Sequence, residues 1–79
     1  MKNVKWIRIK PSFWVMKPRD AKIPGILATI HHDKEHGWYF LEEGTTNRHD
    51  HLPSLEVAMT LMPDAWIEAK LIMMVAKAK

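Results

Sequence analysis

The sequence predicts an α+β domain: a small antiparallel-rich β-sheet of three to four strands with one short helix packed on it. Short runs of alternating apolar and polar residues recur between Pro and Gly punctuation, which is the pattern of half-buried strands. One later stretch, Ser54 to Met62, has helical spacing instead. Apolar residues make up 47% of the chain, with four Trp and six Met, against a formal net charge of only +3. That composition folds rather than staying disordered.

Val4 to Met16 reads as strand. Ile7, Ile9, Phe13 and Val15 share one face of the ribbon, and Trp6, Arg8, Lys10, Ser12 and Trp14 the other. Pro11 lacks a backbone donor, so it marks an edge strand or a bulge that splits the ribbon in two. Lys17 to Gly25 is a loop, and Pro24-Gly25 suits the centre of a type II turn. Ile26 to His32 and Trp38 to Glu42 form the next strand pair, joined by a hairpin in which Gly37 supplies a positive φ. Gly44 to His51 is polar and reads as loop. Ser54 is an N-cap, and Leu55, Ala58, Met59 and Met62 fall on one helical face before Pro63 stops the helix. Trp66 to Ala78 admits two readings. Its Ala, Lys, Met and Leu favour helix by propensity. The unbroken apolar run Leu71 to Ala76 favours a central strand, because a helix apolar all round is more than a domain this small can bury. The second argument places a strand here, with helix as the alternative.

At 79 residues, positions 1–79 are expected to form one domain, near the lower limit for a self-sufficient core. The absence of Cys excludes a disulfide scaffold, a zinc ribbon and a thiol nucleophile. The longest stretch without Asp, Glu, Lys or Arg is the ten residues Ile23 to His32. A membrane span needs roughly 18, so no membrane role is expected. Charge throughout Met1 to Arg8 argues against a secretory leader, so a cytoplasmic protein is expected.

The charge is segregated. Residues 1–22 hold seven basic residues against Asp20, a net of +6; residues 23–63 carry −4 and residues 64–79 carry +1. Trp6, Arg8 and Lys10 on the first strand, followed by Lys17, Arg19 and Lys22, therefore form the candidate binding set. Cations neutralise phosphates, and an exposed Trp6 can stack on bases, while Trp14 is assigned to the core. The expected partner is nucleic acid or a nucleic-acid-processing protein complex. A homodimer through a sheet edge is a further mode of association.

Catalytic chemistry is not indicated. His32-Asp33-Lys34-Glu35-His36 matches the H-x-x-E-H pattern of inverted zinc peptidases, but it runs into Gly37 and a strand instead of continuing as a helix. Glu42 and Glu43 are adjacent, so they point to opposite faces of a strand and make a poor acid–base pair. Gly25, Gly37 and Gly44 mark turns and form no phosphate loop. The expectation is a binding protein, not an enzyme, with no cofactor. With no Cys, a metal site would draw on His and carboxylates, and the candidates are His31, His36, His49 and His51, with His32 beside them at the hairpin; they can form a site only if their two loops meet.

In outline, strands followed by Leu52-Pro53-Ser54-Leu55-Glu56-Val57-Ala58-Met59 and a terminal apolar segment resemble the small sheet-plus-helix proteins often encoded by bacteriophages. Many of those block host polymerases or CRISPR effector complexes. The resemblance implies an alternative function, stoichiometric inhibition of a protein target, and transfers no site residue.

Overall fold

The computed structural model describes residues 3–78. Lys2 and Lys79, which contribute to the charge map, lie outside them. The chain is a small α+β domain with a five-stranded antiparallel sheet and two helices. The strands are β1 (Val4–Lys10), β2 (Phe13–Pro18), β3 (Ala28–Asp33), β4 (Gly37–Glu42) and β5 (Arg48–Leu52), in the order β1-β2-β3-β4-β5. They are followed by α1 (Leu55–Met59) and α2 (Asp64–Ala78).

Several elements form as the sequence predicts. The Asp33–Gly37 hairpin turns with Gly37 at φ 65°, and the Pro24-Gly25 turn has Gly25 at φ 108°. The Ser54 hydroxyl accepts a hydrogen bond from the Val57 N–H at 3.2 Å, which caps α1.

Three expectations are corrected. Pro11 neither edges nor bulges a continuous ribbon. It stands in the turn between β1 and β2, which pair as an antiparallel hairpin from Val4↔Pro18 to Lys10↔Phe13. The sheet has a fifth strand, all of it but Leu52 inside the segment read as loop. Four of the five β5 residues are exposed, and His51 sits in the left-handed region at φ 56°. A polar, exposed, irregular edge strand has no alternation to read. The C-terminal segment is helix, not strand. The Pro63 carbonyl accepts from the N–H groups of Trp66 and Ile67, at 3.0 and 3.1 Å, and starts the first turn. The apolar run does not become buried on both sides. Ile67 and Leu71 enter the core, and the opposite face stays in contact with water.

The core joins Val4, Met16, Leu27, Ala28, Ile30 and Phe40 of the sheet side to Ala58, Met62, Ile67 and Leu71 of the helical region. The Lys70 ammonium anchors α2 to the end of β4, donating to Glu42 Oε2 at 3.4 Å and to the Glu43 carbonyl.

Candidate functional site

The sheet has two unlike faces. Directly opposed residues point the same way, so each face can be followed across the strands. Towards the helices run Trp6–Met16–Ala28–Glu42, then Arg8–Trp14–Ile30–Phe40–His49, then His32–Trp38–Leu52. Away from them run Lys5–Lys17, then Ile7–Val15–Thr29–Leu41–Arg48, then Lys10–Phe13–His31–Tyr39. The buried helical residues all join the first face. Val15, in the middle of the second, is buried but belongs to no cluster with the helices.

This open face carries a continuous stack. Phe13 and His31 lie with centroids 4.7 Å apart and planes 13° from parallel, and His31 and Tyr39 follow at 5.0 Å and 16°. Those spacings equal the distance between neighbouring strands, so the rings stand on edge from the sheet and present their rims outward. The Arg48 guanidinium closes one end, 4.8 Å from the Tyr39 centroid. His36 meets Tyr39 edge-on at 5.5 Å.

Local hydrogen bonds fix the stack. His31 Nε2 and the Thr29 hydroxyl are bonded at 3.0 Å. The His36 N–H donates to Asp33 Oδ1 at 2.6 Å, and this bond holds the Asp33 carboxyl below its ordinary pKa. Arg48 Nε donates to Asp50 Oδ1 at 2.6 Å, which lowers the Asp50 pKa and raises that of Arg48. Asp50 therefore offsets part of the Arg48 charge.

Burial, followed by repulsion from Arg48, lowers the His31 pKa from its ordinary 6.5. The folded chain then resists protonation more than the unfolded chain does. His31 thus contributes stability that is complete above pH 6.5 and is lost as pH falls towards its folded pKa. A His31→Gln variant should show a flatter melting temperature between pH 7.5 and pH 5 than the parent chain. Equal slopes would mean that His31 does not sense that range.

The basic set is only partly brought together. The register shift between Arg8 and Lys10 moves Lys10 onto the open face beside Phe13, so Trp6, Arg8, Lys10 and Trp14 do not share one side. Lys17 is exposed on the open face directly opposite Lys5. Arg8 is exposed on the other face. Arg19 and Lys22 are exposed in the loop after β2, where the Lys22 N–H donates to Asp20 Oδ1 at 2.9 Å. Trp6 is no free anchor. It is half-buried against the core, and its indole N–H, like that of Trp14, is buried without an acceptor among the described residues.

The histidines do not converge. His31 is in the stack, His36 is held by Asp33, and His49 lies against Phe40 on the helix side, 6.1 Å between centroids. The His51 N–H donates to the His36 carbonyl at 2.9 Å, a backbone contact. Among the described residues no three His, Asp or Glu side chains are grouped as metal ligands. No helix among these residues is long and apolar enough to cross a membrane.

Comparison with protein-family models, curated proteins and solved structures finds no match. The reading of the site therefore rests on its geometry.

Reading the residues alone missed Phe13, His31, Tyr39 and Arg48 as a unit. Each lies on a different strand, and only the pairing register aligns them. Their signal was period 2 within each strand, with Phe13 beside Val15 and Tyr39 beside Leu41.

Proposed function

We propose that this protein binds single-stranded nucleic acid across its open sheet face. The observation that carries the reading is one surface holding two kinds of group at once: the cations Lys5, Lys17 and Lys10, and the stack Phe13–His31–Tyr39–Arg48. Among the described residues none of the three lysines has a carboxylate partner. Like charges directly opposite each other, as Lys5 and Lys17 are, cost stability, and a bound phosphate relieves that cost. The ring rims offer the Tyr39 hydroxyl to base edges, and the guanidinium of Arg48 offers a planar cation for a base to stack on. A backbone laid from the Lys5–Lys17 end of the β1–β2 hairpin towards Lys10 reaches the Phe13 end of the stack, which runs from there across the strands to Arg48. Arg8, Arg19 and Lys22 add to the long-range attraction from outside this face.

The test is anisotropy of labelled oligonucleotides, single-stranded and duplex, titrated with salt. Single strands should bind more tightly than duplex of equal length, with log K falling against log salt at about 0.7 per phosphate neutralised. Absence of binding at low salt would overturn the reading and leave the lysines to an acidic protein surface.

A further inference from the structure

We infer that the free edge of β1 takes an acidic, extended segment of a partner protein as a sixth strand. β1 ends the sheet, with β2 on one side only. Antiparallel strands alternate hydrogen-bonded and open positions. The Arg19 N–H donates to the Asn3 carbonyl at 2.9 Å. Counting on from that pair puts Lys5↔Lys17 and Ile7↔Val15 in the hydrogen-bonded positions. Trp6 and Arg8 therefore turn their backbone N–H and C=O groups away from β2. Val4 does so too, but it is buried. The open stretch of the edge runs from Lys5 to Lys10, where every residue is exposed or half-buried. Trp6 and Ile7 are half-buried on opposite faces, and Ile9 is 53% exposed. Unpaired backbone groups flanked by apolar side chains are a template for another strand.

Charge selects the occupant. β1 carries Lys5, Arg8 and Lys10, β2 carries Lys17, and neither strand has a carboxylate. Among the described residues no carboxylate pairs with any of these four. Asp20 is the nearest in sequence, and its Oδ1 accepts from the Lys22 N–H. A second copy would crowd the cations of two β1 strands along one seam with no carboxylate between them. An acidic strand gains from the same charges. Nucleic acid matches the cations but not the alternating backbone donors and acceptors of Trp6 and Arg8. The opposite edge does not compete. β5 neutralises itself through Arg48 and Asp50, and His51 interrupts it with a φ of 56°. Directly opposed residues share a face. The residues opposite Lys5, Trp6, Ile7 and Arg8 are then acidic, apolar, apolar and acidic, an order that reads the same in both strand directions. So short an edge gives a weak complex, with Kd roughly 10 µM to 1 mM.

The test is an NMR titration of the full chain, nitrogen-labelled, with the blocked peptide acetyl-Ser-Glu-Val-Val-Glu-Ser-amide at low salt. Binding should saturate, and amide exchange should slow at Trp6 and Arg8. Lys5 and Ile7, already bonded to β2, should change least. The same peptide with Gln for both Glu should bind about 3- to 10-fold more weakly. Arg8→Glu should weaken binding of the Glu peptide by about tenfold. Arg8 is exposed, so the variant keeps its fold, which its amide spectrum checks. No binding at low salt would overturn the inference. So would equal affinity for the Gln peptide, protection at Phe13, His31 and Tyr39 in place of Trp6 and Arg8, or a chain that dimerises through β1 in sedimentation equilibrium. Trp6 and Arg8 lie off the open face, so nucleic-acid binding there is judged separately by its own titration.

Discussion

Replacing Phe40 with alanine should leave most of the chain unfolded at moderate temperature. Phe40 is 1% exposed and is the largest of the fully buried side chains. It stands between Ile30 and His49 in its row and packs in the cluster that contains Ala58 of α1. Truncating a buried Phe costs about 3–5 kcal/mol, because the transfer energy is lost and a cavity remains. Total stabilities are about 5–15 kcal/mol, and a chain this short is expected near the bottom of that range. A melting temperature lower by ~15 °C or more is therefore expected. Phe13→Ala is the informative comparison. Phe13 is half-buried on the open face, where neighbouring rings and water already share its surface, and it should cost about 1 kcal/mol. Urea denaturation followed by Trp fluorescence measures both variants. If Phe13→Ala proved the more damaging, the core would lie on the opposite face of the sheet.

The second large effect concerns binding. Neutralising Lys5 and Lys17 together, as Lys5→Gln with Lys17→Gln, should weaken single-strand binding by about 10- to 30-fold near physiological salt. The salt slope should flatten by about 1.4, at roughly 0.7 per lost phosphate contact. The fold should gain slightly, since the variant removes two directly opposed like charges. Trp6→Phe should leave the affinity unchanged, because that side chain packs on the helix face. Loss of binding in Trp6→Phe with none in the double Gln variant would return the site to the face read from the sequence.

These variants separate what is local from what is tertiary. The hairpin at Gly37, the turn at Gly25 and the cap at Ser54 each depend on a few adjacent residues, so their chemistry is legible without the fold. Most strand residues were legible for the same reason, since period 2 is a local property. β5 was not, because an exposed edge made of Arg48, His49, Asp50 and His51 is indistinguishable by composition from a loop. The candidate site was half legible. The basic N-terminal third is a matter of counting, and it led to Lys10 and Lys17. The stack was illegible because its members are brought together by register alone, and a single bulge after Arg8 decides which side Lys10 joins.

The sequence by itself determined an α+β class, an antiparallel sheet, a capped short helix and a strongly basic first third. Tertiary structure decided which face of the sheet is covered. Both faces of β1 and β2 are apolar enough to be core, Ile7, Phe13 and Val15 on one and Trp6, Trp14 and Met16 on the other, so local pattern cannot choose between them. The choice is made by where α1 and α2 lie, and that depends on a core cluster whose members are as distant in sequence as Val4 and Leu71. The same contacts decided the state of the C-terminal segment. Its apolar run is compatible with strand or helix, and only the clamp of Lys70 on Glu42, with Ile67 and Leu71 in the core, makes one face inward and leaves the other exposed.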